Sequence, residues 1–373
     1  MTKKIRVALI FGGKSGEHEV SLASAKSVAR ALDKNKYDVT LIGITKEGQW
    51  LSGGNPLKEL ISKTQSPLLN SGLNGEAVAN ENARRDLATA EQMVEKASPL
   101  HSVDVVFPLV HGPMGEDGTI QGLLELADMA YVGAGVAASA VGMDKQLMKD
   151  VFRAHGLPVV DEVVILRSNW EHDRSRILEL VESKLGYPCF CKPANLGSSV
   201  GVTKANNRTQ LAEGLTEAAR YDRKIIVERG LNAREIECSV LGNDKPIVSL
   251  PGEIIPQREF YDYAAKYDDA TGTQLIVPAK LAPEKTREVQ TLALQAFQAI
   301  DCAGMARVDM FIDRESEKLF VNEINTIPGF TAVSMYPKMW EATGLSYAQL
   351  IDKLIELGLK RHADKQRNES TFH

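Results

Sequence analysis

The sequence predicts an α/β protein of two or three domains, and three observations carry that expectation. Residues 5–11 form a continuous apolar run ending at Gly12-Gly13, followed by a helical pattern over 19–32. Strand-like and helix-like segments then alternate, with turns after the strands, as in a parallel sheet flanked by helices. Near the other end, GMARVDMFIDRESEKLFVNEINTIPGF (304–330) reads as strands 306–312 and 318–324 around a polar turn at 314–317. The chain has 373 residues, 43% hydrophobic and 25% charged, which suits a soluble globular protein with buried cores. Its net charge of −5, from 44 basic and 49 acidic residues, argues against nucleic acid or an anionic membrane as the main partner.

In chain order, strands at 5–11, 39–44 and 103–110 imply a parallel, Rossmann-like layer over roughly the first 130 residues. Between them, 51–101 is polar and reads as an irregular insertion followed by an exposed helix at 81–96. A helix at 144–154 runs up to Gly156-Leu-Pro158. Strands at 163–166, 189–192, 199–202 and 224–227 then alternate with helices at 173–185 and 209–221. The last third holds strands at 236–241 and 247–250, a long loop at 255–274, a helix at 283–300, the hairpin, and a terminal helix at 347–362. The cysteines (Cys189, Cys191, Cys238, Cys302) are scattered and read as buried thiols of a reducing cytoplasm. The apolar run at the start is too short for a secretory signal, and no segment approaches a membrane span.

Side chains alternate along a strand, so Arg307 and Asp309 share one face, as do Glu323 and Asn325. A turn centred near Ser316 sets Asp309 opposite Glu323 and Arg307 opposite Asn325. Facing carboxylates repel unless something positive lies between them. Asp, Glu and Asn oxygens beside an Arg suit Mg²⁺ carrying phosphate better than Zn²⁺. The plain alternative is an exposed hairpin with a polar face.

Of four glycine turns, FGGKS (11–15) fails as a phosphate loop because Ala8 stands where the pattern needs glycine. Gly133-Ala-Gly135-Val-Ala-Ala138 fits a loose GxGxxA, but no acidic residue ends a following strand at the right distance. Gly197-Ser198-Ser199-Val200-Gly201 follows the strand ending at Lys192. Its N–H groups and hydroxyls can fold over a triphosphate, with Lys192 and Lys145 as point charges. GPMGEDG (112–118) places Glu116 and Asp117 beside His111, as helix caps or as part of a site. Glu17 and Glu19 open the first helix, where the dipole favours carboxylates; an ionised Glu17 can also hold a substrate ammonium.

Eight motifs in order, GGKSGEHEVSL, HGPMGEDG, MDK, KPANLGSSVGV, EIEC, YDYAAKY, ARVD and NEINTIPGFTAVSMYP, cover nearly the whole chain outside 51–101 and the tail. Together they resemble the D-alanine–D-alanine ligases of the ATP-grasp superfamily. The resemblance implies a Rossmann-like N-terminal domain (1–130) that binds substrate, a central small ATP-grasp lobe (131–227), and a C-terminal lobe (228–373) carrying the metal site and a lid at 255–274. It implies ATP and D-alanine as substrates, D-alanyl phosphate as intermediate, and D-alanyl-D-alanine for peptidoglycan precursors as product. A bacterial, cytoplasmic homodimer is the matching expectation.

On the same footing, Asp309, Glu323 and Asn325 would hold two Mg²⁺ (or Mn²⁺) ions. Lys145 and Lys192 would contact phosphates, Ser199 would bind ATP from the glycine turn, and Lys266 would reach the γ-phosphate. Glu235 would take the ribose and Glu228 would lie at the adenine hinge. Arg307 and the Gly329 N–H would stabilise the tetrahedral oxyanion. Glu17 would bind the first D-alanine ammonium beside His111, Ser198 and Tyr267 would link glycine turn and lid, and Ser334 with Met335 would receive the second D-alanine carboxylate. Acyl phosphates hydrolyse, which gives the long loop a reason: it excludes water until the amine attacks. D-Ala–D-lactate ligases commonly lack the Lys-Tyr pair, so Lys266-Tyr267 implies an amine acceptor. Another ATP-grasp ligase with a different acid or acceptor, a nucleotide-binding regulatory module without turnover, and a Rossmann oxidoreductase are the competing readings.

Overall fold

The computed structural model describes residues 3–64, 69, 86–88, 102–255 and 273–369. Three sheets organise them. In the first, Ile5–Gly12 lies between Tyr37–Ile44 and Val105–Pro108, all parallel, with Trp50–Ser52 and then Asp86–Ala88 added antiparallel at one edge. From Val7 onward Ile5–Gly12 is apolar and buried because its central position covers both faces, while Arg6 at its start pairs with Asp104. Asp86–Ala88 corrects the expected helix at 81–96, of which only this strand falls within the described residues. Edge pairing with Trp50–Ser52 outweighs local helix propensity there.

The second sheet is antiparallel, in the order Gln274–Ile276, Gly252–Ile255, Ala233–Gly242, Gly304–Asp313, Leu319–Asn325. The third is antiparallel, in the order Glu162–Leu166, Lys224–Arg229, Cys189–Pro193, Thr203–Ala205. Its last strand corrects the expected one at 199–202: Ser198 and Ser199 adopt φ of +52° and +57°, and no β-strand can pass through that region. The helix expected from 144 starts one residue later, as Lys145–Ala154, because the Asp144 side chain caps it by accepting from the N–H of Gln146 and Leu147. A separate helix, Val136–Met143, occupies the stretch that resembled a dinucleotide turn. The backbone before it passes close to Gly304: a Cβ on Gly304 (φ +73°) would lie 2.9 Å from the backbone of Gly133, so the close approach requires glycine at 304.

One core unites the N-terminal sheet with the C-terminal end of the chain. Val7, Leu9 and Phe107 are buried with Tyr336, Trp340, Leu350 and Leu354. Phe330 sits at the joint, edge-to-face with Phe107 at 5.6 Å and tilted against Tyr347 at 5.6 Å. The helix Tyr347–Lys365 thereby clamps the loop after the hairpin onto the first sheet. None of the helices among the described residues is long and apolar enough to cross a membrane.

Candidate active site

A cavity of about 890 Å³ opens where the three sheets meet. One wall is the hairpin Gly304–Asp313 and Leu319–Asn325. Even-numbered residues from Ala306 to Ile312 are buried, which turns Arg307, Asp309 and Phe311 toward the cavity. Asp309 pairs with Glu323 and Arg307 with Asn325, as the alternation predicts. A bulge makes that so. From Ile312↔Leu319 to Met310↔Val321 the register is one residue different, and the extra residue, Asn322, shifts Glu323 into place opposite Asp309.

On the other side of Asp309 stands Glu237 of Ala233–Gly242, so three carboxylates cross three adjacent strands in a row. Arg307 donates to both Asp309 oxygens (2.7 Å each) and lies 3.2 Å from Glu237. Burial works against its charge, but Asp309, Glu237 and Glu323 together hold the guanidinium protonated well above its ordinary range. Lys145 approaches Glu323 to 3.6 Å and donates to the carbonyl of Leu196 at 2.8 Å.

Three carboxylates against Arg307 and Lys145 leave an excess of negative charge, and the donors are hard oxygens; divalent cations fit them. No three His, Cys, Asp or Glu side chains among the described residues close into a cage. Waters and phosphate oxygens would complete the shell of a Mg²⁺ held there, which is its ordinary arrangement. Asn325 here gives its Nδ2 to Asp309 at 3.0 Å, so its amide must turn over to offer oxygen to a cation.

The opposite wall joins loops. Ser198 donates to Glu17, which bridges the turn after Cys189–Pro193 to the start of the helix His18–Ala31. Two glycines make room: a Cβ on Gly112 (φ +74°) would lie 2.8 Å from Glu17 Oε2, and one on Gly197 would lie 3.1 Å from it. His111 is buried behind Glu17. Its Nδ1 is 2.8 Å from the Ile327 carbonyl and 3.5 Å from Glu116, and its Nε2 is 3.2 Å from Ser24 Oγ. Ser24 Oγ also accepts from the Phe330 N–H, so this pair fastens the backbone on both sides of Gly329. Burial raises the Glu116 carboxyl to about 7, Glu17 adding to the effect and His111 opposing it. Burial would lower His111, but Glu116 and Glu17 raise it.

Residues 6–134 match the family described as D-ala D-ala ligase N-terminus, and residues 151–356 match D-ala D-ala ligase C-terminus. The chain belongs to the D-alanine–D-alanine ligase family. A D-alanine--D-alanine ligase of Heliobacterium modesticaldum is 50% identical over 98% of this chain and 97% of its own. The solved D-alanine-D-alanine ligase of Coxiella burnetii is 38% identical, covers 98% of each chain and superposes with a TM-score of 0.78. VanG D-Ala:D-Ser ligase from Enterococcus faecalis is 35% identical, covers 95% of this chain and 100% of its own, and has a TM-score of 0.80. The fold of these ligases is ATP-grasp, and this chain shares it.

Within the ligase fold, the cavity gathers Glu17, His111, Lys145, Lys192, Ser198, Ser199, Glu228, Glu235, Arg307, Asp309, Glu323, Asn325, Gly329, Ser334 and Met335. Lys266 and Tyr267 lie outside the described residues; the strands that flank their segment, Gly252–Ile255 and Gln274–Ile276, pair with each other. The Lys192 ammonium is held by Glu228, which lines the same cavity. Ser334 begins the helix Met335–Ala342, yet its hydroxyl turns back to Thr331 (2.7 Å to Oγ1) and leaves the helix N-terminus uncapped. Sequence reasoning missed Glu237 and the contact of Glu116 with His111. For Glu237 a signal existed, since it stands two residues from Glu235 on one strand face.

Proposed function

We propose that this chain joins two molecules of D-alanine into D-alanyl-D-alanine with ATP, through D-alanyl phosphate, releasing ADP and phosphate and supplying a peptidoglycan precursor. The observation that carries this reading is a single cavity with a carboxylate row and Arg307 on one wall and the Glu17–Ser198 junction on the other. Such a cavity can keep a triphosphate and an amino acid side by side.

Two Mg²⁺ (or Mn²⁺) ions held by Asp309, Glu323 and Asn325 would neutralise the triphosphate. Lys145, already at the Glu323 end, takes the phosphates, with Ser199 and the glycine turn folded over them; Lys192 stands nearer the base because of Glu228. Glu17 attracts the first D-alanine ammonium and directs its carboxylate toward the hairpin. Arg307 and the Gly329 N–H face the oxygen that becomes negative when the second amine attacks, and losing one such donor typically costs about 3–4 kcal/mol. The uncapped helix at Ser334 and Met335 offers N–H groups to the second carboxylate. A homodimer in the bacterial cytoplasm, with domain limits at 130 and 227, completes the reading.

The test is phosphate release from Mg-ATP with D-alanine, L-alanine, D-alanine plus D-serine, and D-alanine plus D-lactate, with products identified by mass. Phosphate matched by D-alanyl-D-alanine, with L-alanine silent, is the expected outcome. The likeness to a D-Ala:D-Ser ligase favours one second reading, D-serine as acceptor, and a mixed dipeptide exceeding D-alanyl-D-alanine would establish it. Tyr267→Phe is expected to raise depsipeptide relative to dipeptide.

A further inference from the structure

Lys149 is wholly buried, and no role in the reaction has been given to it. It lies one helical turn beyond Lys145 on Lys145–Ala154, so both project from one face. Its ammonium pairs with Glu228 Oε1, lies 3.8 Å from Glu162 Oε2, and donates to the Val160 carbonyl at 3.3 Å. Lys192 takes the other Glu228 oxygen. Glu162 neighbours Glu228 on the adjacent strand and is held from outside by Arg153. A line of five charges thus runs from the surface to the cavity wall. Lys149 is its interior member, too deep to touch a ligand itself, whereas Glu228 lines the cavity.

A buried lysine is costly, and an apolar side chain would hold this helix against the sheet equally well. Its distinctive effect is on Glu228. With an ammonium on each oxygen, that carboxylate stays ionised in spite of burial and has one orientation. An ionised carboxylate only accepts hydrogen bonds. Each oxygen keeps a second lone pair, and one faces the cavity side.

We infer that Lys149 is a positioning residue for nucleobase selection: through Glu228 it sets an acceptor that welcomes the C6 amine of adenine and repels the C6 carbonyl of a 6-oxopurine. The inference rests on the assignment of Glu228 to the adenine hinge. Without Lys149, Glu228 swings toward Lys192 or takes up a proton and becomes a donor, and either change removes the discrimination.

Binding of ATP and of inosine triphosphate to the full chain, measured by calorimetry without D-alanine, tests this. Lys149→Met should narrow the preference for ATP by about tenfold or more, the scale on which unpaired buried polar groups discriminate. Lys149→Arg should restore most of it, and the KM for D-alanine should not move. If Lys149→Met does not fold, Lys149→Met with Glu228→Gln removes both charges, and its amide should accept either base alike. An equal loss for both nucleotides, or an unchanged ratio, overturns the inference and leaves Lys149 a structural residue. A wild type that binds ATP without preferring it overturns base selection alone. A wild type that binds neither nucleotide overturns the adenine assignment beneath it.

Discussion

The two walls of the cavity are built by different means. On the hairpin wall, Glu237, Asp309 and Glu323 sit on three hydrogen-bonded strands and share Arg307, so no charge there can move without disturbing a sheet. On the other wall, Glu17 and Ser198 meet across 181 residues of chain through a side-chain hydrogen bond, between a helix start and a turn held at positive φ. Parting them breaks no strand pairing. Charges that must meet a polyanion are thus mounted rigidly, and the amino-acid end is closed by a contact that can open.

The largest expected effect breaks the rigid wall. Arg307→Met removes the guanidinium that pairs with Asp309 and Glu237, and stranding buried charge in this way costs about 3–5 kcal/mol. Urea unfolding in EDTA should show that loss, and millimolar Mg²⁺ should restore more of it in the variant than in the wild type. Ligase turnover should fall by at least about 100-fold even with Mg²⁺. Equal stability of the two proteins in EDTA would mean that the row is not held together electrostatically.

Next comes the loop wall. Glu17→Gln should raise the KM for D-alanine by about 100-fold, the scale of a lost charge-assisted contact of about 3 kcal/mol, with ATP affinity unchanged. Ser198→Ala should give a smaller shift of the same kind. A parallel loss of ATP affinity would erase the division of labour between the walls.

How much of this was legible in the sequence follows the same division. Asp309 opposite Glu323 was expected from the two-residue period and a turn centred near Ser316, and it stands as expected, although the bulge after Met310↔Val321 is what brings it about. The bulge at Asn322 was not legible, because an inserted residue leaves no trace in polarity. Glu237 was missed since its strand pairs across some seventy residues of chain, and periodicity says nothing about distant register. The expected strand at 199–202 failed for a related reason: backbone strain at Ser198 and Ser199 is imposed by the Glu17 junction, not by local propensity. The motifs that marked the family named residues at both walls, but their meeting is a product of tertiary packing.

The buried pair behind Glu17 sharpens the contrast through pH. The native Glu116 keeps a proton up to about 7, which the unfolded chain releases near 4.5. The native state therefore binds more protons in that window, and stability present below it is lost as pH rises through 7. His111 is raised by the ionised form of the same carboxyl, so the pair titrates as one unit and His111 adds no separate contribution. Unfolding free energies at pH 5, 6 and 7.5 should fall along that series by about 1–3 kcal/mol, and Glu116→Gln should flatten most of the slope. The hairpin variants should keep it. A wild-type profile that is flat over this range would remove the titrating pair from the account.

The smallest expected effect isolates the crowding around Glu17. Gly112 has φ +74° and would set a Cβ 2.8 Å from the carboxylate, whereas a Cβ on Gly16 meets nothing within 4 Å. Gly112→Ala should cost about 1–2 kcal/mol from backbone conformation alone, with any displacement of Glu17 added to it. Gly16→Ala, two residues before the helix His18–Ala31, should be neutral or slightly stabilising. The decisive readout is KM for D-alanine, which should rise in Gly112→Ala in proportion to how far Glu17 is pushed from Ser198. If Gly112→Ala lowers stability with KM unchanged, the junction tolerates displacement, and the loop wall does not depend on the Ser198–Glu17 hydrogen bond.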